Sequence, residues 1–270
     1  GNIPVNGPEY LYSRRIGRAP QGWAQDRGEG SFVDQPSNTT ILGATKLSGR
    51  TGNGWSIGFL DAVTAREYAT SDVAGARFRD QVEPLTNYGV LRGKRDFGSG
   101  ATTLGFTATS VNRRIDDARL DFLRTAAYAG GLDFHHRFPG SRFMGFATLG
   151  YSYIGGDTLA IQAAQRSSAR YFQRPDADYV SYDPARTSLA GWNAAAGVSE
   201  EAGATKFALG FQATSPGFEI NDLGYMSRAD RMSAIGKVVR LWTRPGRVFR
   251  MAQLQAMTST GWNFGGDRTS

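Results

Sequence analysis

The stretch AYAGGLDFHHRF (127–138) places Tyr128, Gly130, Leu132, Phe134 and Phe138 on one side of an extended chain. Ala129, Gly131, Asp133, His135 and Arg137 fall on the other. TTLGFTATSV (102–111) repeats the pattern, with Leu104, Phe106 and Ala108 against Thr103, Gly105, Thr107 and Thr109. A period of two with one apolar side marks a strand lying between an apolar medium and water. Ten such strands are predicted, near 40–49, 54–65, 84–96, 102–113, 123–138, 142–155, 187–199, 204–214, 232–243 and 247–259. They are longer than the usual soluble strand of about five or six residues. They reach the roughly nine to eleven residues that a tilted membrane-spanning strand needs.

The connections constrain the fold further. Five are short and rich in Gly, Pro, Asn and Ser: SGRTGNG (48–54), FGSGA (97–101), PGS (139–141), SEEAG (199–203) and TRPG (243–246). Turns favour these residues for their backbone freedom and local hydrogen bonding. Four longer connections lie between them, near 66–83, 114–122, 156–186 and 215–231. Short and long alternate strictly. In an up-and-down sheet every short turn then lies at one end and every long loop at the other, as in outer-membrane barrels. Trp55, Phe97, Phe138, Phe143, Phe207, Trp242 and Phe249 all lie near short turns. That spacing predicts an aromatic ring at one membrane interface.

Composition removes several function classes. With no cysteine, disulfides and thiolate metal sites are excluded. Two adjacent histidines make a poor metal site. The net charge of +7 is scattered rather than clustered, which argues against a nucleic-acid partner. The 35 glycines disfavour a helical bundle. No fixed repeat supports a propeller, and one strand face is too rich in Gly, Thr, Asp and Arg for a sandwich core. The sequence shows no Ser–His–Asp order, phosphate-cradling glycine loop or HExxH motif. The fold expected is therefore all-β: an antiparallel, up-and-down transmembrane β-barrel. Residues 1–38 form a polar lead-in, expected inside or beneath the barrel, and 39–270 form the barrel region.

The motifs YLYSRRIGRAP (10–20), GATKLSGRTGNGWSIGFLDAVTAREYA (43–69), VEPLTNYGVLRGKRDF (82–97), AYAGGLDFHHRF (127–138), RYFQRPDADY (170–179) and SPGFEINDLGYMSRADR (215–231) occur in this order. Together they resemble an uncharacterised bacterial family, domain of unknown function 5916. The resemblance implies an outer-membrane β-barrel of Gram-negative cell-envelope proteins, preceded by a family 9-type carbohydrate-binding domain. It also implies a longer barrel. The chain is thus expected to be a piece that lacks the leading domain and the last strands, with an open edge at each end.

The candidate residues cluster on the long-loop side. In the 156–186 loop, Asp157 or Thr158 is expected to cap a short helix running to about Arg170. Arg170 and Arg174 offer forked donors for a carboxylate or sugar hydroxyls. Tyr171, Phe172 and Tyr179 offer rings for sugar faces, with Asp176 beside them. The competing reading is a plug folded into the barrel mouth by Arg–Asp pairs. Glu219, Asp222 and Asp230 are weak candidates for a hard cation, because their spacing matches no regular calcium loop. Inside the barrel, Arg92, Lys94 and Asp96 share a strand face with Tyr88, while Asp133, His135 and Arg137 share another. They are expected to form a lumen network. Arg14, Arg15 and Arg18 are expected to pair with lumen acids. No cofactor is expected. The partners expected are outer-membrane lipid and an extracellular glycan, at the bacterial outer membrane. A channel or transporter component and a membrane-anchored glycoside-acting enzyme remain as alternatives.

Overall fold

The computed structural model of the chain describes residues 8–269, without the side chain of Ser141; residues 1–7 of the lead-in and Ser270 lie outside the described residues. Among the described residues no helix is long and apolar enough to cross a membrane, which says nothing of strands. All ten expected strands are present. In chain order the strands are β1 (Ser31–Asp34), β2 (Ile41–Arg50), β3 (Trp55–Thr64), β4 (Glu67–Val73), β5 (Ala76–Glu83), β6 (Leu85–Phe97), β7 (Thr102–Arg114), β8 (Arg124–Arg137), β9 (Phe143–Gly156), β10 (Ser188–Glu200), β11 (Thr205–Thr214), β12 (Arg231–Trp242) and β13 (Ala252–Trp262). One helix, α1 (Thr158–Arg166), lies in the longest loop.

Ten strands form one antiparallel up-and-down sheet in the order β13-β12-β11-β10-β9-β8-β7-β6-β3-β2. Among the described residues β2 and β13 do not pair with each other, so the sheet is open. Three strands lay outside expectation: β1, β4 and β5 form a separate small sheet within the lead-in and the first long connection. The β4–β5 hairpin turns on Ala74 and Gly75, both at positive φ (52° and 84°). Two-residue hairpin turns require such angles, and Asn-Gly or Asp-Gly is the usual sequence signal. Ala-Gly hid it. The last strand begins at Ala252 rather than near 247. Pro245 has no N–H for a ladder, and the Gly246 N–H donates to the Phe249 carbonyl at 2.9 Å, which closes a turn first.

Continuous register carries the period of two across the sheet. Ala62, Tyr88, Val111 and Ala127 lie in one row of partners on one face. That inner face is covered at the long-loop end. Its Ala62, Tyr88, Val90, Val111, Ala127, Ile154 and Leu189 pack with Ile161 and Ala164 of α1, Phe172, Leu223, and Leu11 and Ile16 of the lead-in. The outer face carries Leu132 opposite Leu149, Phe106 opposite Leu132, and Ala147 opposite Ala196. Many of its large apolar side chains are exposed, including Leu47, Leu132, Leu149, Leu209 and Leu254.

Candidate functional site

The long loops fold back onto the inner face as a plug. Asp157 caps α1 by accepting from the Leu159 N–H at 2.9 Å, and the helix stops at Arg166. Gln165, buried on its inner side, donates to the Asp183 carbonyl at 2.8 Å and accepts from the Asp183 N–H at 2.9 Å. This amide pair ties the end of the helix to the return of the loop. Across the sheet, the backbone of Gly217 and Phe218 lies directly on β10. A Cβ at Gly191 would sit 2.1 Å from the Phe218 nitrogen, and one at Gly217 would sit 2.1 Å from the Ala190 carbonyl. Only paired glycines permit that approach.

Arg170 is buried and spends its guanidinium inside the plug. It donates to the carbonyls of Ala164 (2.7 Å), Phe218 (3.0 Å) and Pro216 (3.2 Å), and to Glu219 Oε2 at 2.7 Å. The Glu219 backbone N–H donates to Ser152 Oγ on β9 at 2.8 Å. Asp222 accepts from Arg113 of β7 at 2.7 Å and from Arg124 of β8 at 2.5 Å. Burial pushes both carboxyls up. The guanidiniums of Arg124 and Arg170 outweigh it for Glu219, and those of Arg124 and Arg113 do so for Asp222, so both titrate below the usual carboxylate range.

Asp230, at φ 51°, accepts from Arg174 at 2.8 Å, from the Tyr179 hydroxyl at 2.5 Å and from the Phe264 N–H at 3.0 Å. Burial and the neighbouring Asp230 push the Tyr179 phenol up to about 12. The three acids read as weak cation ligands are thus arginine partners. No group of three or more metal-ligating side chains occurs among the described residues.

The six expected ligand contacts divide. Arg170 and Phe172 are turned into the plug and face no solvent, because burial there completes the core and the Glu219 pair. Tyr171, Arg174, Asp176 and Tyr179 remain at the solvent side of the loop, in part or fully exposed. Tyr171 is 44% exposed and sits at φ 46°, a conformation that L side chains seldom adopt. Such strain collects at functional loops.

Of the residues expected to line a lumen, Arg92, Lys94, Asp96, Asp133, His135 and Arg137 share one face of the open sheet. Arg92 pairs with Asp133 and donates to Thr107 Oγ1 at 3.0 Å. Lys94 lies 3.8 Å from Asp96, which accepts from Thr103 at 2.7 Å. His135 stacks on Phe146 rather than joining an ion pair, and Arg137 is exposed on the same face. Among the described residues no carboxylate pairs with Arg14, Arg15 or Arg18. The nearby acids are engaged elsewhere: Glu83 accepts from the Gln21 N–H at 2.7 Å and from Gln21 Nε2 at 3.0 Å, while Asp222 holds Arg113 and Arg124.

Arg113, Arg124 and Ser152 carry the plug but escaped the sequence reading. Arg113 was findable, since it continues the inward row Thr109, Val111 into a long loop, where a charged residue needs a partner. A second network, Asp80 with Arg27 at 2.6 Å and Arg119 at 2.6 Å, ties the small sheet to the 115–123 loop. No curated protein matches the chain. A family model described as a domain of unknown function, DUF5916, matches residues 6–267, and the chain belongs to that family.

Proposed function

We propose that this chain is the membrane-spanning β-barrel region of an outer-membrane cell-envelope protein that binds an extracellular ligand, such as a glycan, at a plugged mouth. The outer face supports the reading. Every Asp, Glu, Lys or Arg on that face of the large sheet lies within three residues of a strand end among the described residues, while the middle is Gly, Ala, Leu, Phe and their like. Trp55, Phe97, Phe143, Phe207 and Trp242 point outward at the short-turn end. Arg95 lies over Phe97 and Arg240 over Trp242. A second ring, Tyr128, Tyr151, Tyr153 and Trp192, lies on the same face at the long-loop end, where Tyr128 stacks on Tyr153 at 6.3 Å. Phe143 and Tyr153 are ten residues apart on β9. At about 3.4 Å per residue and a tilt of about 40°, that is roughly 26 Å of height, close to the apolar band of about 25 Å in membrane barrels.

The mouth residues carry the ligand reading. Tyr171 offers an exposed ring, and Arg174, Asp176 and Tyr179 offer donors and acceptors beside it. Glycan-array binding by the detergent-solubilised protein tests it. Tyr171→Ala with Arg174→Ala is expected to weaken the bound glycan at least about tenfold, the loss of a ring contact and a charge-assisted bond. Undiminished binding by the double variant would sink the mouth site.

A channel component is the second reading, favoured by the inner face below the plug. Lys46, Arg50, Lys94, Arg137, Lys206 and Lys237 all point inward there and retain solvent access. Arginine and lysine lining of this kind suits anions. The glycoside-acting alternative draws no support from Glu219, Asp222 and Asp230, each of which is bonded to an arginine.

A further inference from the structure

The segment Ser13–Arg18 crosses the inner face beside β3, β6 and β7. The Arg18 carbonyl accepts from the Thr39 N–H at 2.9 Å and from its hydroxyl at 2.7 Å, while Ile16 packs on the core that holds Ala62 and Tyr88. Arg113 approaches from the sheet, in one row of register with Thr86 and Thr64. Its side chain is 1% exposed. One terminal nitrogen serves Asp222 and the Arg124 carbonyl. The Nε and the other terminal nitrogen have no partner among the described residues, although both are buried. The buried Nε atoms of Arg15 and Arg18 and the Thr64 hydroxyl are likewise without partners. Burial and the like charges of Arg113 and Arg15 depress Arg18.

Buried donors of like charge are costly unless an acceptor fills the space between them. Arg113 and Arg124 share Asp222 and Arg170 takes Glu219, so among the described residues no carboxylate is left paired with Arg15 or Arg18. From the orphaned donors we infer a binding site for a tetrahedral oxyanion, a phosphate or sulfate group, enclosed by Arg15, Arg18, Arg113 and Thr64. Forked guanidinium donors match such oxygens. Arg15 and Arg18 are only half-buried and form its entrance. The site lies in the packing of lead-in against sheet, so it stands or falls independently of the glycan-binding mouth and of the membrane.

The test is thermal unfolding of the full chain with inorganic phosphate, sulfate or a sugar phosphate, against chloride at equal ionic strength. Phosphate or sulfate is expected to raise the midpoint by several degrees in a saturable way, since a ligand that binds only the folded state stabilises it. Arg15→Gln with Arg18→Gln is expected to weaken the apparent affinity at least about tenfold, and Arg14→Gln, at an exposed position, to leave it unchanged. Tighter binding of the sugar phosphate would identify the group as a substituent of a larger ligand, and equal binding as the free ion. No shift beyond chloride, or an undiminished shift in the double variant, overturns the site. Should the double variant fail to fold, phosphorus NMR of phosphate with the unaltered protein decides: line broadening that sulfate reverses supports the site, and its absence refutes it.

Discussion

Asp222 accepts from Arg113 at 2.7 Å and from Arg124 at 2.5 Å with almost no access to water. Removing it leaves two buried guanidiniums without that partner. Breaking a buried charge pair in this way costs about 3–5 kcal/mol, so Asp222→Ala is expected to lower unfolding stability by that order in a denaturant titration. A loss under about 1 kcal/mol would contradict the buried pairing. The same group sets an acid limit. Its folded-state pKa lies below the usual value, so its contribution is fully present above the unfolded-state pKa, about 3.9. The contribution is lost as pH falls through the folded value. Stability is therefore expected to be flat with respect to this group near neutrality and to fall in acid. Asp222→Asn should flatten that acid limb. Sequence showed Asp222 as one acid in a loop. It could not show that Arg113, more than a hundred positions away, would meet it, because ion pairing depends on where the loop folds.

At the scale of elements, the plug depends on how closely its backbone approaches β10. The Cβ of a residue replacing Gly191 would meet backbone atoms of Gly217 and Phe218, which have no flexible end to move aside. Gly191→Val is expected to lift the 215–223 segment off the sheet. The cost should be about 1–3 kcal/mol, typical of forcing extra methyl groups into packed space. Limited proteolysis should then cut between 215 and 231 in the variant while leaving β9–β11 protected; equal resistance in both proteins would contradict the docking. The strands themselves were legible, because alternation over ten or more residues is a local signal. The capped helix α1 was legible for the same reason, with Asp157 at its start. The β4–β5 hairpin was not, because Ala74 occupies a left-handed turn position that sequence habits assign to Asn, Asp or Gly.

For the whole molecule, the decisive quantity is the apolar outer face. Leu132 and Leu149 face each other in mid-sheet and are both more than half exposed. In lipid that exposure is favourable; in water it is a patch that needs a cover. An arginine at the bilayer midplane of a barrel costs about 2–4 kcal/mol. Leu149→Arg should therefore reduce folding into lipid vesicles, read by heat-modifiable gel mobility, whereas Thr148→Arg on the inner face should be tolerated. Equal effects of the two, or a monomer stable in buffer without detergent, would remove the membrane reading. The sequence by itself determined the ten long strands, their up-and-down order and the side on which long loops gather; of the seven aromatics near short turns, Trp55, Phe97, Phe143, Phe207 and Trp242 lie on one sheet face, while Phe138 and Phe249 fall outside the strands. The strands, their order and the loop side follow from periods and spacings within a few residues. Tertiary structure alone decided that Arg170 and Phe172 face inward, that Arg113 and Arg124 bind Asp222, and that the lead-in packs Ile16 on the core beside Ala62 and Tyr88. Those contacts join residues far apart in the chain, and their energies depend on burial, which no local pattern encodes.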